Sequence, residues 1–373
     1  MKASSTPPTH SVLRLQRLLR PLLLPFGALW GLVMDVRLRL YQGGALPSQG
    51  TQAPCLSVGN ISWGGTGKTP VCAHILTWAV RQGLTPALLT RGYGAHPPRL
   101  PFVVEPDSQA VQAGDEPLLL SRMAQKAKVL VDPDRCRGAE MAERRFLADL
   151  IVLDDGFQHH ALKRDLDLVL LTAEDLERDW GRVFPSGTWR EGLSALGRAH
   201  AFLIKVEPRE FEYLGPRLAD RLGPYGCPVF SFTLASKRLA SLKTGRTAPD
   251  LGGAPYVLMT AVADPQSVEA SARALLGYEP RERFFFPDHH PFSATDLREV
   301  GRAAEALDQA VILVTPKDSV KIERMAVDNV WSLVPDLALG PRLWSEDPFD
   351  IWLEKALARV PAEREAATRT SEE

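Results

Sequence analysis

The chain has 373 residues, 45% hydrophobic and 24% charged, and its 44 Lys+Arg against 45 Asp+Glu leave a net charge of −1. That length holds a large core and about two domains, and the composition excludes a disordered chain. Near-neutral charge leaves no electrostatic footprint for nucleic acid, and four scattered cysteines without a C-x-x-C pair exclude a disulfide framework and fit a reducing cytoplasm.

Residues 1–12 are polar and contain prolines, and read as loose. From Leu13 to Leu40 the texture turns apolar and basic. Pro21–Met34 carries no charge over 14 residues, short of the roughly 20 that a membrane span needs. Arg14, Arg17 and Arg20 precede it, and Arg37 and Arg39 follow. With Lys2 that makes six basic residues against Asp35 through residue 40, about +5. Basic residues after the apolar run argue against a cleaved signal peptide. A spanning helix that recruits Leu18, Leu19 and Val36, a helix lying in the membrane interface, and an ordinary buried helix with a basic rim stay open. The interfacial helix fits the flanking arginines best.

The centre of the chain's organisation is Ser57–Pro70, SVGNISWGGTGKTP. It is a variant of the G-x-x-x-x-G-K-[ST] phosphate loop, because counting back from Lys68 puts Ser62 where the first glycine belongs. Gly59, Gly64, Gly65 and Gly67 supply backbone freedom, the apolar residues Cys55, Leu56 and Val58 read as a strand, and Val71–Leu76 reads as the following helix. In that context Gly64, Gly65, Thr66 and Gly67 cradle phosphates, Lys68 reaches the β- and γ-phosphates, and Thr69 offers its hydroxyl to Mg²⁺.

Further strands are expected at 85–90, 129–131, 149–153, 167–171 and 201–204. Asp115 and Glu116 follow a Gly114 turn, where a strand-to-helix loop opens toward the phosphate site. They read equally well as acids complementing a helix dipole. Asp154 and Asp155 end a buried strand as a Walker B acid does, which makes them candidate Mg²⁺ ligands. Alternation of strands and helices predicts an α/β fold: a P-loop NTPase-like, doubly wound parallel sheet over residues 41–235. A short-stranded, polar connector near 231–247 leads to a second, smaller α/β domain over 236–360, with strands at 256–260 and 310–314, and residues 361–373 read as a frayed tail. The loop Phe284–Pro291 pairs an acid with two histidines, too few for a metal site.

Taken in order, GNISWGGTGKTP, TRGYG, GDEP, LDDGFQHH, PSGTWRE, FPDHHPFS and TPKDSVK resemble the tetraacyldisaccharide 4′-kinase family of the lipid A pathway, over roughly residues 15–325. The resemblance implies transfer of the ATP γ-phosphate to the 4′-hydroxyl of tetraacyldisaccharide 1-phosphate, forming lipid IVA. It also implies an N-terminal membrane-associated helix, a site at the cytoplasmic face of the bacterial inner membrane, and a β-stranded linker to the second domain. Its partners are the lipid substrate and the membrane surface, with no nucleic acid and no obligate protein partner. Carried over by residue, Asp115 matches the catalytic base and His289 its dyad partner. Glu116 and Arg190 match further active-site positions, Lys68, Thr69 and Thr66 the nucleotide contacts, and Asp154, Asp155 and Gln158 the Mg²⁺ and active-site positions. The chain departs from the family at Thr188-Trp189, where Pro-Leu is expected, and at Ala261–Pro265, where a Gly-Asn-Pro-like turn is expected.

The alternative is a P-loop GTPase or metallochaperone-type NTPase, which needs an N-K-x-D motif for guanine. Thr315-Pro316-Lys317-Asp318 sets lysine and aspartate side by side, the wrong spacing for that contact.

Overall fold

The computed structural model describes residues 8–322 and 329–372. Thirteen strands form one sheet: β1 (Cys55–Asn60), β2 (Pro86–Thr90), β3 (Phe102–Val104), β4 (Lys128–Val131), β5 (Leu150–Asp154), β6 (Leu166–Thr172), β7 (Ala201–Lys205), β8 (Val229–Ser241), β9 (Thr247–Ala248), β10 (Tyr256–Thr260), β11 (Glu282–Phe285), β12 (Val311–Val314) and β13 (Val330–Leu343). Their order is β11-β10-β12-β13-β8-β7-β6-β1-β5-β2-β4-β3, with β9 beside β8. The central strands β1 and β5 are buried along their whole length, as parallel strands covered on both faces must be. All neighbours are parallel except β3/β4, β8/β9 and β8/β13. This is the doubly wound α/β fold expected.

Two lobes hang on that sheet, each with its own apolar cores. In the first, the helix Lys68–Arg81 buries Val71, Cys72, Ile75 and Leu76 against β1 and β5. In the second, β10 and β12 pack against the helix Ala294–Ala306 through Val257, Met259, Leu297 and Val300. The lobes are joined by β8 and β13, antiparallel strands of 13 and 14 residues. Register shifts at Val334/Pro335 and Leu339/Arg342 add twist to the pair. The helix Pro316–Ile322 after β12 thereby comes to pack against the helix Asp115–Met123 of the first lobe.

Several expectations change. The short-stranded connector near 231–247 is mostly one long strand, with three exposed and five half-buried residues among its 13. Glu282–Phe285 is a strand rather than loop. The phosphate-loop helix starts at Lys68, three residues before its apolar run. Gly59 lies inside β1, where an added Cβ would come within 2.6 Å of Phe157 Cβ, so it serves close packing rather than loop freedom. The polar tail continues a helix, Phe349–Glu372, because Arg364 donates to both Asp165 oxygens and to the carbonyls of Thr51 and Gln52.

Residues 1–7 of the segment read as loose lie outside the described residues, and residues 8–12 begin a 35-residue helix, Pro8–Gln42. This helix is not a buried core element. Leu18, Leu22, Phe26, Leu29 and Leu32 are exposed, and its stretch Leu15–Gln42 is long and apolar enough to cross a membrane. One face docks on the first lobe. Gln16 Nε2 donates to the carbonyls of Pro185 and Gly187, and Arg20 pairs with Asp179 at 2.9 Å. Trp30 Nε1 donates to the Arg190 carbonyl, and Asp35 accepts from Ser194. Gly27 is buried where an added Cβ would come within 2.6 Å of Ser186 Oγ, so a small residue sets the approach.

Candidate active site

The strand–loop–helix at β1 builds an anion cradle. Gly67 caps the helix Lys68–Arg81 at φ 90°, a left-handed conformation suited to glycine, and no side chain caps the helix. The first N–H groups of that 14-residue helix therefore face the loop without a side-chain acceptor. The Thr66 hydroxyl is buried and has no hydrogen-bond partner among the described residues. Both features fit a group that brings acceptor oxygens, as a nucleotide phosphate does. Ser62, standing where the motif has glycine, is used structurally: its hydroxyl donates to Asp175 at 3.0 Å.

Lys68 donates to Asn60 Oδ1 at 2.9 Å and lies 3.4 Å from Asp155. Arg190 Nη1 donates to both Asp155 oxygens at 2.9 Å and to Gln158 Oε1 at 3.1 Å, and Gln158 Nε2 returns to the Asn60 carbonyl. The Trp189 departure supports this ring. Its side chain is fully buried, its indole N–H donates to Asp175, and the next amide, Arg190 N, donates to the Ile61 carbonyl at 2.7 Å. Arg190 is thus aimed from a fixed loop.

The adjacent acids differ. Burial, then the Glu116 charge, push the Asp154 carboxyl up to about 6, although Lys68 and the Thr90 hydroxyl oppose the shift. Burial also raises Asp155, but Lys68 and Arg190 outweigh it and hold that carboxyl below its ordinary value. Asp155 is already paired, whereas Asp154 is an under-compensated acid that a cation would favour. Thr69 Oγ1 lies 3.5 Å from Glu116 Oε2 on the same side of the loop. No three His, Cys, Asp or Glu side chains among the described residues make a ready metal cage. Thr69 with Asp154 still fits Mg²⁺, which takes one or two protein oxygens and the rest from phosphates and water.

Asp115 and Glu116 occupy the first turn of the helix Asp115–Met123, where the dipole favours carboxylates. They also face the second lobe. Asp115 Oδ2 is 3.6 Å from His289 Nδ1 and 3.4 Å from Lys321, and Glu116 is 3.2 Å from Lys317. His289 sits at φ 60°, its amide donating to the Ala261 carbonyl. Its neighbour His290 is structural, stacked on Phe286 and paired with Asp296. In the Ala261–Pro265 departure, Asp264 caps the helix Pro265–Leu276.

Lys68, Asp115, Glu116, Asp154, Asp155, Gln158, Arg190 and His289 all line one cavity of about 480 Å³, while Thr69 lines a neighbouring cavity of about 310 Å³ that shares Glu116. Leu234, Val262 and Pro335 make the second cavity largely apolar. Sequence reading missed Arg37 and Arg135 on the first cavity's wall, as well as Asn60 and Lys321. Lone arginines carry no local signature, and Asn60 shows its role only once Lys68 folds back over it. The guanine-motif candidate is spent: Asp318 is fully buried and accepts from Thr260, Thr315 and the Ala261 amide.

Comparison with known proteins agrees with this geometry. Residues 19–357 match the family model described as tetraacyldisaccharide-1-P 4′-kinase. The tetraacyldisaccharide 4′-kinase of Nitratidesulfovibrio vulgaris is 45% identical over 353 residues, covering 95% of this chain and 98% of that one. That of Oleidesulfovibrio alaskensis is 47% identical, over 87% and 89%. A crystal structure of LpxK from Aquifex aeolicus in complex with ATP superposes with a TM-score of 0.72 at 26% identity, covering 92% and 99%. The chain belongs to the tetraacyldisaccharide-1-P 4′-kinase family.

Proposed function

We propose that this chain moves the γ-phosphate of ATP to the 4′-hydroxyl of a tetraacylated glucosamine disaccharide 1-phosphate, working at the cytoplasmic face of the inner membrane. The observation that carries the reading is the convergence of an open phosphate loop, paired acids and an Asp–His pair on adjoining cavities. ATP lies with its phosphates in the loop around Thr66–Thr69 and its nucleoside toward the apolar cavity at Leu234 and Val262. Lys68 draws charge from the β- and γ-phosphates, and Arg190 stands ready on the far side of Asp155. Asp115 accepts the hydroxyl proton as the sugar oxygen attacks the γ-phosphorus, with His289 orienting the carboxylate; ADP leaves. When bound at Thr69 and Asp154, Mg²⁺ neutralises charge on the phosphate oxygens.

The N-terminal helix brings the site to its lipid. Its hydrogen bonds to the first lobe run from Gln16 to Arg37, and those 22 residues span about 31 Å of helix. A body docked along that whole length favours a helix lying in the interface, apolar residues down and the exposed Arg17 and Arg39 at head groups, over one crossing the bilayer. Trp30 and Arg37 tie the same helix to the Arg190 loop and the cavity.

The test is transfer of labelled γ-phosphate from ATP–Mg²⁺ to the tetraacyldisaccharide 1-phosphate in detergent micelles, with Asp115→Asn alongside. Labelled lipid with the wild type and almost none with the variant is the expected result. Free phosphate without labelled lipid would sink the reading.

A further inference from the structure

The helix Pro316–Ile322 carries two lysines one turn apart, and both reach across the seam between the lobes. Lys317 Nζ lies 3.2 Å from Glu116 Oε1 and 3.2 Å from His289 Nε2. Lys321 Nζ lies 3.4 Å from Asp115 Oδ2 and 3.4 Å from Asp318 Oδ1. Two consecutive acids on one helix are therefore each matched by a lysine on the other. The lysine side chains are only 19% and 8% exposed. Their helix is well anchored, since Asp318 is tied to Thr260, Ala261 and Thr315 while Ile322 is buried in the second lobe's core and Val320 in the first lobe's.

An ammonium group has hydrogens to give and no lone pair to accept one. Lys317 at 3.2 Å must donate to Nε2, which requires that nitrogen to be bare and leaves the ring proton on Nδ1. Nδ1 is the nitrogen that faces Asp115 Oδ2, at 3.6 Å just beyond hydrogen-bond range. The opposite tautomer would set two donors against each other. The competing acceptor near Nε2, Asp288 Oδ2, is 3.9 Å away and out of hydrogen-bond range. Tyr93 fills one side of the imidazole with its ring centroid at 5.4 Å. Lys321 holds the same Asp115 oxygen from the second lobe.

We propose that Lys317 and Lys321 are positioning residues for the Asp115–His289 pair: Lys317 fixes the imidazole as its Nδ1–H tautomer, and Lys321 fixes the carboxylate that this proton faces. The proposal rests on reading Asp115 as the base. Both lysines belong to the second lobe, so the base is correctly held only when the lobes are docked.

The decisive experiment uses the full chain in detergent micelles with ¹⁵N-labelled histidine, the His289 signals being identified by their loss in His289→Gln. Long-range ¹H–¹⁵N correlation should show a protonated Nδ1 and a bare Nε2 in the wild type, and appearance of the Nε2–H form in Lys317→Met. A bare Nε2 in Lys317→Met, or a protonated one in the wild type, would overturn the tautomer assignment. In parallel, Lys317→Met and Lys321→Met should lower kcat about tenfold to a hundredfold, the scale of a small misplacement. The KM for ATP should stay nearly constant, the arginine variants should recover much of the loss, and melting temperatures should match the wild type. Unchanged kcat in both methionine variants, while Asp115→Asn abolishes transfer, defeats the positioning role. Full transfer by Asp115→Asn defeats instead the reading of the base beneath it, and the NMR result tells the two failures apart.

Discussion

The two lobes equip the site in opposite ways. In the first, Lys68, Asn60, Asp155, Arg190 and Gln158 close a ring of contacts among themselves, on a strand end, a loop and a helix start that are all locally built. In the second, His289, Lys317 and Lys321 each reach a carboxylate that belongs to the other lobe. On the function proposed above, phosphate binding is prepared within one lobe, whereas proton transfer is assembled by docking two. The contrast predicts that lesions on the two sides fail differently.

The largest effect falls where the lobes meet the chemistry. Asp115→Asn should cut kcat by roughly 10²- to 10⁴-fold, the range for a lost general base. ATP binding, measured by titration, should be almost untouched, because the phosphate ring contains no part of Asp115. A variant that loses ATP affinity along with kcat would erase the contrast between the lobes.

The helix outside both lobes comes next. Replacing Leu18, Leu22 and Leu29 with serine removes exposed apolar side chains without touching the docked face. Each buried side chain of this size is worth about 1.5–3 kcal/mol, so vesicle binding should fall more than tenfold. Transfer to fully detergent-dispersed substrate should persist. Equal loss in both assays would show that these residues serve the fold, not the membrane.

A subtler change sharpens the account of the first lobe. Thr66→Val removes a buried hydroxyl that has no partner within the described protein. Losing one hydrogen bond to a charged phosphate should weaken ATP about tenfold, near 1.5 kcal/mol. The nucleotide-free protein should melt no lower than the wild type, because the hydroxyl contributes no contact there. A lower melting temperature would mean that Thr66 serves the loop rather than the ligand.

This difference between the lobes also governs what could be read from the sequence. The phosphate loop, the Asp154-Asp155 strand end and most parallel strands were legible, because each is signalled within about ten neighbouring residues. The β8–β13 pair was not: Leu239 pairs with Leu333, and half-exposed strands lack a clean apolar run. Lys321 was hidden for the same reason, since Asp115 lies some two hundred residues earlier in the chain. The helical tail was missed because its order depends on Arg364 reaching Asp165 and the backbone at Thr51. The departures at Ser62 and Trp189 make sense only together, through Asp175, which both side chains contact.

The smallest expected effect concerns the polar interior of the first lobe. His160 is buried next to Glu191, with the Tyr41 ring of the N-terminal helix at 5.6 Å. Burial, then the charges of Arg198, Arg164 and Arg37, push its pKa down from 6.5 to about 3. Above pH 6.5 the imidazole is neutral in folded and unfolded chains alike, and it contributes no pH dependence. Below that, the unfolded chain takes up a proton that the folded one refuses, so stability falls as pH drops toward 3. The slope for this one group is about 1.4 kcal/mol per pH unit. Denaturant unfolding at pH 7.0 and 5.5 should therefore differ less in His160→Gln than in the wild type, by roughly 1–1.5 kcal/mol. An unchanged difference would mean that the folded protein takes up this proton as readily as the unfolded chain, and a larger difference in His160→Gln would mean that His160 is protonated in the folded state and paired with Glu191. The N-terminal helix would then be seated over an ion pair instead of a neutral ring.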